Sequence, residues 1–204
     1  MKPQIVVFAS GSGSNFEALA EACRKNRLDA KISGLICDRD SAGAIDRAVK
    51  YHIPWMVIKK ADYSSQQAYV DYLLKSINRW SPDLIVLAGY LSKLPTEIID
   101  QAGCPIINVH PSLLPEYGGK GFYGQHVHRA VIDNNESESG CSVHQVTEEF
   151  DDGPVLKQAR VPVFEDDTPQ TLADRIRPHE HRILIETVNQ LLTESRDSSK
   201  QNST

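Results

Sequence analysis

Apolar positions along this chain alternate between two periods. Ile5 to Ala9 is an unbroken apolar run that stops at Ser10-Gly11, the pattern of a strand buried on both faces. Phe16, Leu19 and Cys23 then recur at helical spacing over Asn15 to Lys25. The switch repeats with a strand over Ile32 to Cys37 and a helix over Ala42 to Tyr51, whose apolar face holds Ile45, Ala48 and Val49. A third, short strand over Ile53 to Ile58 is interrupted by Pro54. Ser64-Ser65-Gln66-Gln67 has the form of a capping box and opens a helix with Tyr69, Leu73, Ile77 and Trp80 on one stripe. Leu84 to Ala88 and Ile106 to Val109 supply two more strands, with a helix over Pro95 to Gln101 between them. Continuous apolar strands alternating with helices predict a mostly parallel sheet covered on both faces. Right-handed crossovers make this a doubly wound α/β fold.

The second half changes character. Leu113 to Gln125 is rich in proline and glycine and reads as a loop, in which base rates favour a trans Leu114-Pro115 bond. A helix follows over His126 to Asp133. Strands over Ser142 to Thr147 and Val155 to Val163 flank a turn-rich acidic loop, Glu148 to Pro154, and form an antiparallel C-terminal extension. Thr168 to Leu192 has helical period, with a stripe of Leu172, Ile176, Leu184, Val188 and Leu191. Pro178 is expected to kink that long C-terminal helix or split it. Residues 1–193 read as one domain, and the polar stretch 194–204 as a disordered tail.

Length and charge narrow the function. At about 150 residues per domain, 204 residues fit a single domain with a sizeable core. Twenty-two Lys and Arg against 27 Asp and Glu give a net charge of −5, which offers no broad attraction to nucleic acid or to an anionic membrane. Cys23, Cys37, Cys104 and Cys141 are widely spaced and suit free thiols rather than a disulfide scaffold or structural zinc. No apolar run approaches the about 18 residues of a membrane span. The N-terminus lacks a signal-peptide pattern, so the expected location is the cytoplasm.

Ligands of open α/β sheets bind at the carboxyl ends of the strands. That rule draws together three loops: Ser10 to Asn15, Gly89-Tyr90 after the fourth strand, and Asn108-Val109-His110-Pro111 at the end of the fifth. In the first loop, glycines let the backbone approach an anion at a helix N-terminus, and Ser14 and Asn15 add donors. Phe16 stands where a dinucleotide fingerprint needs its third glycine, so a monophosphate fits better; a plain strand-to-helix turn has the same sequence. Asn108 and His110, two apart on a strand, project to one side, where an amide can hold an oxyanion and an imidazole can move a proton. Asp151, in a loop shaped by Gly153-Pro154, is placed to pair with His110, fix its tautomer and favour its charged form. Glu180 falls in phase with Ile176 and Leu184 and so points inward, where it needs a cation or a ligand donor. His126-x-His128 and His179-x-His181 lie in helices, where that spacing puts the two rings on different faces; no metal site is expected.

Three segments together resemble the phosphoribosylglycinamide formyltransferases, a branch of the folate-dependent formyltransferases. They are Ala9 to Phe16, the run Asn108-Val109-His110-Pro111-Ser112-Leu113-Leu114-Pro115, and Ser142 to Thr147 continued through Asp151-Asp152-Gly153-Pro154. The resemblance implies a Rossmann-like fold and transfer of a formyl group from 10-formyltetrahydrofolate, a consumed co-substrate, to glycinamide ribonucleotide, without metal. It implies that Asn108, His110 and Asp151 are catalytic and that Gly13, Ser14, Asn15 and Glu180 bind the ribonucleotide. Leu91, Ser92, Lys93, Leu94 and Thr147, with Asn108 and Asp151, are implied for the folate. Its partners are then small molecules, with neither nucleic acid nor membrane, in a monomer or weak homodimer. Two relatives share the trio, a tRNA-directed transferase with an added C-terminal domain and a formyltetrahydrofolate hydrolase with an added N-terminal one. With strand one starting at Ile5 and the last helix ending near Leu192, neither addition is expected here.

Overall fold

A computed structural model describes residues 1–201, with side chains through residue 197. Its parallel half comprises β1 (Gln4–Ala9), α1 (Ser14–Arg24), β2 (Lys31–Cys37), α2 (Ala44–Lys50), β3 (Trp55–Val57), α3 (Gln66–Asn78), β4 (Leu84–Leu87), α4 (Thr96–Gln101) and β5 (Ile106–His110). There follow α5 (Gln125–Asp133), β6 (Glu138–Gln145), β7 (Val155–Pro162) and α6 (Pro169–Gln201). The sheet order is β3-β2-β1-β4-β5-β6-β7. Strands β1 to β5 pair in parallel, and β6 and β7 are added antiparallel.

Strand β1 shows why this sequence folds as a doubly covered sheet. Ile5, Val7 and Ala9 pack into one core with α1 and α6, while Val6 and Phe8 pack into the other with α3 and α4. An unbroken apolar run thus serves both faces. Ser65 caps α3, its hydroxyl accepting from Ala68 N–H at 3.1 Å. The chain progresses from β1 to β3 in one direction and from β4 onward in the other. The order therefore reverses between β1 and β4, and a crevice opens at their carboxyl ends.

Several elements depart from the sequence pattern. Strand β3 is only three residues long, because Pro54 has no N–H and β3 lies at the sheet edge. Strand β6 begins at Glu138, earlier than the alternation suggests, because Ser139 and Ser142 are buried and count as core positions. Helix α6 is neither split nor ended by Pro178. Buried Leu172 and Ile176 before it, and Ile183, Leu184 and Val188 after it, hold both halves against one core and offset the lost hydrogen bond. The helix runs on to Gln201, through most of the expected disordered tail. Arg196 contributes there by donating to the Asp29 carboxylate and carbonyl at 3.0 and 3.1 Å. Residues 202–204 of that tail lie outside the described residues.

The segment between β5 and α5 is pinned onto the antiparallel strands. Ser142 Oγ accepts from Leu114 N–H at 3.0 Å and donates to the Ser112 carbonyl at 2.7 Å. Gln158 Nε2 donates to the Leu114 carbonyl at 2.9 Å. The Leu114-Pro115 bond is cis, not trans as base rates favoured, and these bonds to β6 and β7 hold its amino side. No helix among the described residues is long and apolar enough to cross a membrane.

Candidate active site

The crevice between β1 and β4 widens into a cleft of about 650 Å³. Its walls come from α1, the segments after β4 and β5, the loop between β6 and β7, and α6. Ser14, Asn15, Asn108, His110, Asp151 and Glu180 all line it, as do Leu91, Ser92, Lys93, Leu94 and Thr147. Residues that are far apart in sequence are thus gathered around one space. Gly13 is the exception, lying buried beneath the α1 N-terminus rather than facing the cleft. Its φ of +76° and an Ala44 Cα only 2.7 Å from where a Cβ would stand explain the glycine. No side chain caps the N-terminus of α1, leaving its first amides directed outward.

Asn108 and His110 follow one another on the same face of β5, and Asp151 reaches them from the loop after β6. Asn108 Nδ2 donates to Asp151 Oδ1 at 3.2 Å, and Gly119 N–H donates to Oδ2 at 3.0 Å. Asp151 has φ +56°, a left-handed conformation that aspartate tolerates better than most residues. Burial alone would raise its carboxyl. The contact with His144, the neighbouring His110 and the Gly119 amide outweigh that, and the net shift is downward. The group is therefore ionised at neutral pH.

His110 differs from expectation in two respects. Its Nε2–H donates to the Tyr117 carbonyl at 2.8 Å, so the backbone of Tyr117 sets the tautomer. Asp151 Oδ2 stands 3.5 Å from Nδ1, too far for a firm hydrogen bond. Burial lowers the His110 pKa, and Asp151 and the Tyr117 carbonyl offset this only in part. The free protein therefore favours the neutral ring, not the charged form inferred from the aspartate alone. The aspartate is visible in sequence; the degree of burial is not.

His144, not singled out in the sequence, is the fourth member of the cluster. It is 2% exposed and pairs with Asn108 across the β5–β6 ladder. Its Nδ1–H donates to the Gln145 carbonyl at 2.8 Å, and Nε2 lies 3.1 Å from Asn108 Nδ2 and 3.4 Å from Asp151 Oδ1. The alternation Ser142, His144, Val146 was the one signal that could have placed it. Tyr117 gave none, since it acts through its carbonyl at a φ of +54°.

Glu180 finds a donor on a neighbouring side chain, where its inward phase called for a cation or a ligand donor. Asn15 Nδ2 donates to its Oε2 at 3.1 Å, while Asn15 Oδ1 is buried without a partner. Burial raises the Glu180 carboxyl, and Asn15 and the charge of Arg177 only partly counter it. A carboxylate and an unused amide oxygen beside a helix N-terminus suit a ligand that carries both donors and an anion. Ser92, on the cleft wall, donates to Asp38 Oδ2 at 2.6 Å. Lys93 lies 3.7 Å from Glu149 and over the Phe150 ring.

The pair His126 and His128 separates as helical geometry requires. His126 meets the Tyr123 ring edge to face, whereas His128 is 4% exposed with Nδ1 unpartnered among the described residues. Among the described residues, no group of three or more His, Cys, Asp or Glu is placed to hold a metal ion. Burial first, then the charges of His110 and Arg177, push the His128 pKa down to about 4. An ordinary histidine titrates near 6.5, so the unfolded chain binds one more proton than the fold between those values. The stability this residue contributes is present above about pH 6.5 and lost as pH falls toward 4. The loss is expected to reach about 2–3 kcal/mol. Urea unfolding of wild type and His128→Gln at pH 7 and pH 4.5 checks this; equal acid losses in both proteins would refute it.

Comparison with known proteins bears on this geometry. Residues 3–188 match the family described as formyl transferase. Phosphoribosylglycinamide formyltransferase of Escherichia coli is 36% identical, over 88% of this chain and 82% of its own length. The chloroplastic phosphoribosylglycinamide formyltransferase of Vigna unguiculata is 37% identical over 95% of this chain, which spans 62% of that protein. Among solved structures, phosphoribosylglycinamide formyltransferase of Brucella melitensis matches with a TM-score of 0.85 and 37% identity, covering 94% of this chain and 96% of its own.

Proposed function

This chain belongs to the formyl transferase family, and on that premise we propose that it carries the formyl group of 10-formyltetrahydrofolate to the amine of glycinamide ribonucleotide, a step of purine biosynthesis. The observation that supports this best is the cluster of Asn108, His110 and ionised Asp151 in the cleft that Asn15 and Glu180 also line. The products are formylglycinamide ribonucleotide and tetrahydrofolate.

In this reading the ribonucleotide phosphate meets the amides and the side chains of Ser14 and Asn15 at the α1 N-terminus, with Gly13 shaping the turn. Glu180 accepts from the ribonucleotide's donors. The segment 91–94 and Thr147 wall the folate. The free amine attacks the formyl carbon, and negative charge grows on the formyl oxygen. Asn108 Nδ2 donates to that oxygen. Nδ1 of neutral His110, beside Asp151, takes up the proton the attacking nitrogen loses, and the resulting imidazolium is stabilised by the carboxylate. The C–N10 bond then breaks, and the same proton goes to N10. We take residues 1–193 as the catalytic domain of a cytoplasmic monomer or weak dimer acting on small molecules; the net charge of −5 is in keeping with that.

The test is spectrophotometric. Release of the deformylated folate is followed with and without glycinamide ribonucleotide. Release that requires the ribonucleotide is expected. Release without it points to a hydrolase, and none in either case overturns the reading. Glu180→Gln is expected to raise KM for the ribonucleotide about tenfold and to leave KM for the folate within about twofold. Equal changes in both would remove Glu180 from the ribonucleotide site.

A further inference from the structure

Asp38 lies just past β2 and has no place in the chemistry above, yet its side chain is only 7% exposed. Arg39 grips it at both oxygens, at 3.0 and 3.2 Å. Ser92 Oγ–H donates to Oδ2 at 2.6 Å. The Ser10 hydroxyl stabilises the same carboxylate, and Ser10 Oγ in turn accepts from Leu91 N–H at 2.9 Å. Burial acts to raise the Asp38 carboxyl, but Arg39, Ser92 and Ser10 together leave it below the usual range, so it is ionised.

The three strand ends involved are neighbours in the order β2-β1-β4, the point where the sheet reverses. Asp38 follows β2, Ser10 follows β1 and Ser92 lies just beyond β4. One carboxylate therefore spans the mouth of the crevice. An ionised carboxylate has no proton to donate, so the Ser92 hydroxyl must turn toward it. Ser10 Oγ, beside it, accepts the Leu91 amide.

We propose that Asp38 is a positioning residue for the formyl donor, holding the segment 89–94 through Ser92 so that this wall of the cleft is preformed. The proposal rests on the functional reading above. A fused, partly reduced pterin with donors and acceptors on its edge is recognised by groups that are already in place, and affinity falls when they must be ordered on binding. The ribonucleotide, placed at α1 and Glu180, does not depend on this segment.

The experiment combines equilibrium binding of tetrahydrofolate, by calorimetry without acceptor, with steady-state kinetics. For Asp38→Ala, the tetrahydrofolate Kd and the KM for 10-formyltetrahydrofolate are expected to rise about tenfold, with kcat and the ribonucleotide KM within about twofold. Asp38→Asn, which can accept through only one oxygen, is expected to lose about threefold. Ser92→Ala breaks the same bond from the other side, and adding it to Asp38→Ala is expected to cost nothing more. Wild-type protein that binds no tetrahydrofolate overturns the functional reading itself. Wild type that binds it, with Asp38→Ala unchanged in Kd or altered equally toward both substrates, overturns only the positioning role. If Asp38→Ala does not fold, Ser92→Ala decides alone: no rise in Kd refutes the proposal.

Discussion

Asp151→Asn is expected to lower kcat by about 10²–10⁴-fold while both KM values stay within about threefold. The substitution keeps size, and asparagine tolerates the left-handed backbone at φ +56°. What it removes is charge and one acceptor. Asp151 accepts from Asn108 at one oxygen and from Gly119 N–H at the other. An amide can satisfy only one of these, so the other donor faces an NH₂ group. The imidazolium of His110 also loses its neighbouring anion at the moment it forms. Initial rates with each substrate varied, at pH 7 on folded protein, measure the effect. A kcat within tenfold of wild type would remove Asp151 from the proton transfer.

Gly153→Ala is expected to destabilise the protein by about 3 kcal/mol and to lower activity together with stability. A Cβ at this position would stand 1.9 Å from the Gln145 carbonyl oxygen and 2.8 Å from its carbon. The obstacle is backbone of β6, so no side chain can rotate away. Gln145 N–H also donates to the Pro154 carbonyl at 3.0 Å, which ties the loop down at the same place. Relief requires the loop to lift, and that loop carries Asp151. At about 2–4 °C per kcal/mol for a chain of this size, the melting temperature should fall by about 6–12 °C. Calorimetry beside the transfer assay checks both parts. An unchanged melting temperature would mean the loop adapts without cost.

Both substitutions lie in a loop that the sequence marked through Asp151-Asp152-Gly153-Pro154, with His110 as a partner of Asp151 but without its bonds to Asn108 and Gly119. The same division holds elsewhere. Glu180 was legible because helical phase is local, and Ile176 and Leu184, four positions to either side, suffice to aim it inward. His144 was not singled out, because its importance comes from standing opposite Asn108 across a ladder. Ser92 was assigned to the folate and lines the cleft, but the bond of its hydroxyl to Asp38 was not legible. The charge state of His110 was read from its aspartate neighbour, whereas burial outweighs that neighbour.

The sequence by itself determined the alternation of strands and helices, the glycine turn after β1, the Asn108 and His110 pair on one strand face, and the inward aim of Glu180. Each follows from backbone periodicity or from the conformational range of single residues, which act over a few positions. Only the tertiary structure decided the tautomer and neutrality of His110, the part played by His144 and Tyr117, and the bridge from Asp38 to Ser92. Those depend on which strand ends become neighbours and on how much water the packed chain excludes, and both arise from contacts between residues tens of positions apart.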